Sequence, residues 1–161
     1  FRRVLFRSGK KENKSGEEEE KKVPIFLSPI ANPLAGKKLK KRVVKLIGSA
    51  SALSKKKESS TKTKKSLCRG VKEVQKGLKK KSGDCVCVFA ADVSPVDVIS
   101  HLPVYCEELG VPYCFVESGI ILGEAASMRR PTSVILVQSH EGYREAFEEV
   151  HAEVKSIMPV Y

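Results

Sequence analysis

Apolar residues recur along this chain at two different periods. Leu39, Val43, Ile47 and Ala50 fall at helical spacing, with Lys37, Lys38, Lys40, Lys41 and Lys45 on the opposite face. Asn32 followed by Pro33 reads as an N-cap and a first helical position, so the pattern predicts a helix over about 33–53. Val71, Val74 and Leu78 predict a second over about 70–80. Ser94-Pro95 opens a third near residue 95, with Asp97 suited to the positive end of its dipole. Leu102 to Leu109 predicts another that stops at Gly110, and a short helix follows Leu122-Gly123. Tyr143, Phe147, Val150, Val154 and Ile157 predict an inward stripe on a last helix over about 141–157.

Between these helices lie short apolar runs over 85–90, 113–116 and 133–137, with a weaker one near 66–69. Strands that are apolar at almost every position must be covered on both faces. The alternation of such strands with helices predicts a three-layer α/β/α sandwich over about 30–161.

Charge divides the chain more sharply than hydropathy does. Residues 37–81 hold 18 Lys and Arg against 2 Asp and Glu, whereas residues 82–161 hold 4 against 12. The overall charge of +11 therefore comes from one basic block, followed by an acidic half. A concentrated basic block suits a polyanion, because each neutralised phosphate releases counterions. Residues 9–22 are too poor in apolar side chains to offset the entropy of ordering, and order is expected to begin near Pro24. The expected organisation is a disordered tail over 1–23, then one folded domain over 24–161 with a basic loop insertion at 54–66. The chain opens on Phe rather than Met, so residues 1–8 are set aside as a fragment end or foreign residues.

Catalytic signatures are sparse. Glycine-rich nucleotide loops, a nucleophile elbow and zinc-ligand spacings are absent from the sequence. His101, His140 and His151 are scattered. The five cysteines are odd in number with no secretory signal ahead of them, which favours a reducing compartment. Cys85, Cys87, Cys106 and Cys114 read as small buried apolar residues. Asp92 ends a strand where α/β enzymes often carry an acid, but a strand-to-helix turn explains it without catalysis. No metal and no cofactor are expected.

The informative segment is Arg69-Gly70-Val71-Lys72-Glu73-Val74-Gln75-Lys76 at a helix start. Unpaired N–H groups and a positive dipole end favour phosphate there. Helical spacing sets Glu73, Lys76 and Lys80 along one ridge with Lys72 beside it, and a carboxylate among lysines can accept from base edges. An ordinary amphipathic helix with salt-bridged polar residues is the competing reading.

The order of this segment, then Phe89-Ala90-Ala91-Asp92-Val93-Ser94-Pro95, His101-Leu102-Pro103-Val104-Tyr105-Cys106-Glu107-Glu108, Leu122-Gly123-Glu124-Ala125-Ala126 and Arg130-Pro131-Thr132 resembles the kink-turn RNA-binding superfamily. The resemblance covers about 30–161, and Pro29-Ile30-Ala31-Asn32-Pro33-Leu34-Ala35 with Lys37-Lys38-Leu39 is most similar to its H/ACA ribonucleoprotein branch. It implies a mixed, roughly four-stranded sheet and RNA bound at one end. It also implies that Gly70, Lys72, Glu73 and Lys76 read sheared G·A pairs and backbone, with Arg69 a further RNA-binding candidate. Ile120, Ile121 and Leu122, with Gly123 and Glu124, would meet a flipped-out nucleotide, although Leu122 could equally plug the core. Lys37, Lys38 and Lys41 add phosphate contacts, and the Lys37–Arg42 and Lys55–Lys57 clusters also resemble nuclear or nucleolar addresses.

The implied partners are a box H/ACA guide RNA, a dyskerin-type pseudouridine synthase and a small bridging subunit, in the nucleus, nucleolus and Cajal bodies, with telomerase RNA a further candidate. The acidic helix over 140–155 is a candidate surface for the bridging subunit. The implied role is non-catalytic; the alternatives are a kink-turn protein of a box C/D particle, the spliceosome or the ribosome, and more remotely a small α/β enzyme. Two departures matter. Lys72 stands where tight kink-turn binders carry Asn, so an amide that donates and accepts is replaced by a pure donor. Ser118-Gly119 stands where relatives commonly have Ser-Lys, which takes away one positive charge.

Overall fold

The computed structural model describes residues 27–57, 66–80 and 84–158. The expected tail over 1–23, the start of order at Pro24 and positions 58–65 of the expected basic loop lie outside the described residues. The helices are α1 (Lys37–Lys57), α2 (Val71–Lys80), α3 (Asp97–Leu109), α4 (Gly119–Ala125) and α5 (Arg144–Ile157). The strands are β1 (Leu67–Arg69), β2 (Cys85–Ala90), β3 (Tyr113–Val116) and β4 (Val134–Gln138). They form one four-stranded sheet in the order β1-β4-β2-β3. β4 runs antiparallel to both neighbours, while β2 and β3 are parallel. The mixed sheet implied by the resemblance is therefore present.

Alternation along β2 shows why the strands are apolar throughout. Val86, Val88 and Ala90 enter one core cluster with α1, α4 and α5, whereas Cys85, Cys87 and Phe89 enter the other with α2 and α3. Each face is covered by helices, which gives the three layers. Phe89, Tyr113 and Phe115 pack as tilted and edge-on rings, with centroids 5.2 Å apart for Phe89–Phe115. Cys68, Cys85, Cys87, Cys106 and Cys114 are buried free thiols. Burial pushes the Cys114 thiol up to about 12 and raises Cys87 too, so both stay protonated and unreactive.

Several element boundaries differ from expectation, each for a tertiary reason. The predicted start of α1 at 33 moves to Lys37 because the preceding chain pairs with β3. Phe115 donates its N–H to the Pro33 carbonyl, and Ala35 donates to the Phe115 carbonyl. The same helix runs on to Lys57, so the expected loop loses its first four positions. The two helices expected from 95 and from 102 are one. Ile99, Leu102 and Cys106 bury a continuous stripe of α3 across Pro103. Burial of Ile99 and Leu102, at about 1.5–3 kcal/mol each, together with Cys106, offsets the roughly 3 kcal/mol that an interior proline costs in its lost hydrogen bond and ring clash. Gly110 ends α3 as expected, in the left-handed conformation (φ 65°). The helix expected after Leu122-Gly123 begins earlier and contains both residues. The expected strand over 133–137 is shifted by one, to Val134–Gln138. The predicted helix over 141–157 opens with a separate 3-10 turn at Glu141–Tyr143. Ile157, predicted to face inward, is 41% exposed at the end of α5, beyond the reach of the sheet.

Candidate nucleic-acid interface

Strand directions bring the C-terminal ends of β1, β2 and β3 and the N-terminal end of β4 to one end of the sheet. β1 leads there into α2 through Arg69 and Gly70. β2 leads into the Asp92 turn, and β3 into Ser118 and α4. The segment 127–133 returns from α4 to β4.

Gly70 adopts φ 80°, which is why it is glycine; a Cβ there would meet nothing within 4 Å, so the surface beside it is open. Its N–H donates to the Val134 carbonyl at 2.9 Å, fixing the start of α2 against β4. Lys72 and Lys76 project from α2 into solvent. Glu73 is exposed, and its Oε2 accepts from the Arg69 N–H at 3.4 Å, reaching back over the helix start in the manner of a capping box. Arg69 itself differs from expectation. Its guanidinium donates to the Ser51 hydroxyl of α1 and lies 3.3 Å from the Met128 sulfur. Ser51, fully buried, donates in turn to the Ala126 carbonyl at 2.9 Å. Arg69 therefore clamps β1, α1 and the end of α4 together.

The residues of α4 separate by burial. Ile120 is 58% exposed, Glu124 is exposed and Ile121 is half-buried. Leu122 is fully buried in the core, so the plug alternative describes it and it offers no surface to a base. Gly123 is buried because the 128–131 segment lies across it; a Cβ there would stand 2.4 Å from the Arg130 carbonyl oxygen.

Lys37, Lys38 and Lys41 are exposed at the start of α1. This helix begins at the β3 edge, where Lys40 forms a 2.7 Å ion pair with Glu117. It crosses the sheet to Ser51 near β1. Three strand spacings, about 14 Å, separate the edges. The structure thus divides the predicted basic residues into one group at the α2 start and another at the far edge.

Sequence reasoning passed over Met128, Arg129 and Arg130. All are exposed, on the segment that joins α4 to β4 beside Gly70. Arg130 stands in the Arg130-Pro131-Thr132 block of the resemblance and forms with Arg129 a basic pair ahead of a strand, but neither was read as a site residue. The opposite end has a different character. There Asp84, Ser139, His140, Glu141, Arg144, Phe147, Glu148 and His151 line a cleft of about 500 Å³. Arg144 is paired with Glu148 at 2.7 Å, which raises the pKa of its guanidinium. Among the described residues no group of three or more His, Cys, Asp or Glu is placed to hold a metal, and no helix is long and apolar enough to cross a membrane.

Residues 51–147 match the ribosomal protein L7Ae/L30e/S12e/Gadd45 family, and that span holds α2, α4 and the whole sheet. The chain belongs to this family. An H/ACA ribonucleoprotein complex subunit 2-like protein of Arabidopsis thaliana is 44% identical to this L7Ae-family chain, over 89% of the chain and 84% of that protein. The H/ACA ribonucleoprotein complex subunit 2 of Drosophila melanogaster is 40% identical over 83% of the chain and 76% of that protein. Among solved structures, the Giardia lamblia 15.5kD RNA binding protein superposes with a TM-score of 0.71 at 26% identity, over 82% of this chain and 100% of that one. The family match brackets both parts of the end described above, from the Arg69 clamp to the Arg130 segment.

Proposed function

We propose that this chain is a non-catalytic RNA-binding subunit of an H/ACA ribonucleoprotein, which holds guide RNA at the end of the sheet where α2 and α4 begin. The observation that carries the reading is the meeting at that end of Gly70, Lys72, Glu73 and Lys76 with Ile120, Ile121, Glu124, Met128, Arg129 and Arg130, in an L7Ae-family chain whose relatives bear the H/ACA subunit name. Lysine and arginine attract phosphate, the positive end of α2 reinforces them, and Glu73 accepts from base edges. Gly123 serves by letting the 128–131 segment approach α4 closely, and Leu122 by holding α4 to the core. Arg69 serves by position, since its guanidinium is bound to protein groups. Lys37, Lys38 and Lys41 supply a second, sequence-blind set of phosphate contacts at the far edge.

Lys72 can donate but not accept, so the isolated chain discriminates weakly and gains specificity from partners. The partners in this reading are a dyskerin-type pseudouridine synthase, which performs the uridine isomerisation, and a small bridging subunit that docks on the acidic face of α5. The setting is the nucleus, with the nucleolus and Cajal bodies as sites of the particle. Telomerase RNA would engage the same end.

The test is affinity for an H/ACA guide hairpin at two salt concentrations, with and without the synthase and the bridging subunit. Weak, salt-sensitive binding that becomes tight and hairpin-selective with partners supports the reading. The likeness to the 15.5kD RNA binding protein favours a second one, an independent kink-turn binder. Tight kink-turn binding by the isolated chain, unchanged by the partners, would establish that instead.

A further inference from the structure

We propose that Asp92 is a positioning residue of the RNA-binding end: its carboxylate sets the entry into α4 and so the direction in which Ile120 faces the RNA. The inference rests on the reading of that end given above. Asp92 stands just past β2, and both of its oxygens accept the Gly119 N–H, at 2.9 and 3.0 Å. Its Oδ2 also accepts the Ser118 hydroxyl at 3.1 Å. The Ser118 oxygen then accepts the Ile120 N–H at 3.3 Å, so the carboxylate is linked through one hydroxyl to the backbone of the exposed isoleucine. The Ala91 N–H donates to the Val116 carbonyl at 2.8 Å, which fixes the base of the carboxylate to the strand that leads into α4.

Charge makes this placement informative. Lys72, Lys76, Arg129 and Arg130 are exposed at this end, and an unbonded carboxylate among them would repel phosphate. The Gly119 N–H and the Ser118 hydroxyl hold the charge of Asp92 in the protein instead. Gly119 is matched to it. A Cβ at 119 would lie 3.2 Å from Asp92 Oδ1 and 3.1 Å from the Thr132 carbonyl oxygen, tighter than ordinary contact. At the position where the resemblance has Lys, the bare backbone of Gly119 leaves the carboxylate room to close on the turn.

The experiment compares wild type, Asp92→Ala and Asp92→Asn, each with the synthase and the bridging subunit present, for affinity to an H/ACA guide hairpin and to a plain duplex of equal length at fixed salt. Melting temperature and hydrogen exchange at the Gly119 and Ile120 amides are measured alongside. Asparagine keeps an oxygen for the Gly119 N–H and can donate to Ser118, while losing the charge. The expected result is about a tenfold loss of hairpin-over-duplex preference in Asp92→Ala, with faster exchange at both amides, and most of the preference retained in Asp92→Asn. Equal loss in both variants would show that the charge and not the geometry matters, and would overturn the role. So would a preference unchanged in Asp92→Ala. A wild-type chain with no preference for the hairpin, alone or with its partners, would instead overturn the RNA reading on which the role depends.

Discussion

Two glycines in helices should respond to alanine with opposite signs. Gly123 in α4 and Gly48 in α1 are both interior helical positions, where alanine is favoured by about 1 kcal/mol on intrinsic propensity. At Gly48 an added Cβ would lie 3.9 Å from the Ala125 carbonyl oxygen, an ordinary contact. Gly48→Ala should therefore stabilise the protein by roughly 0.5–1 kcal/mol. At Gly123 the Cβ would stand 2.4 Å from the Arg130 oxygen, 3.2 Å from its carbonyl carbon and 3.4 Å from the Pro131 Cα. The first distance is about 0.9 Å short of the separation at which C–H···O contacts settle.

All three opposing atoms are backbone, and the segment is pinned on both sides. Met128 donates its N–H to the Gly123 carbonyl at 2.8 Å, and Thr132 donates to the Gly119 carbonyl at 3.0 Å. Relief requires the whole 128–131 segment to move, at the roughly 1–3 kcal/mol typical of overpacking, which exceeds the propensity gain. Gly123→Ala should thus be destabilising by up to about 2 kcal/mol, the overpacking cost less the propensity gain, and lower the melting temperature by several degrees. It should also disturb the Met128–Arg69 contact and weaken RNA binding. Thermal and urea unfolding followed by circular dichroism, with Gly48→Ala as the internal control, checks the argument. A Gly123→Ala protein as stable as wild type would refute the close approach.

Glu73→Ala should lower preference for structured RNA over duplex; equal preference in a paired filter-binding assay would remove its base-reading role and leave it a structural one, such as the capping contact to Arg69. Neutralising Lys37, Lys38 and Lys41 together should weaken all RNAs alike and flatten the salt dependence, by roughly 0.7–0.9 in slope for each phosphate left without its lysine. A selective loss for one RNA would contradict the separation of these lysines from the α2 start. Stability should fall in alkali: burial lifts Cys114 from 9.0 and Tyr143 from 10.0 to about 12 each, so the unfolded chain releases their protons first. The stabilisation is fully present below pH 9 and disappears between about pH 9 and 12. A urea midpoint flat from about pH 7 to 11 would refute it, and Cys114→Ala should make the first part of the decline shallower, with the buried Cys87 supplying the rest of it.

Local pattern was enough to determine most of the elements and the chemistry of the α2 start. Leu39, Val43, Ile47 and Ala50 carry the period of α1 and are all buried, and the alternation in β2 required helices on both faces. Gly70, Lys72, Glu73 and Lys76 could be read together because one turn of helix unites neighbours in sequence. Residues far apart in sequence behaved otherwise. Pro33 and Ala35 join Phe115 in place of starting α1, which no window around residue 33 reveals. Arg69 was legible as a cation at a helix start, but Ser51 and Met128, 18 and 59 positions away, decide that it is spent on the protein. Ile120 and Leu122 look alike in sequence, and only the packing of α4 on the sheet places one in solvent and the other in the core. Sequence determines what each short stretch can form and offer. Which of those offers remain at the surface, and which meet at one end, depends on contacts across the sheet, and only the folded chain contains them.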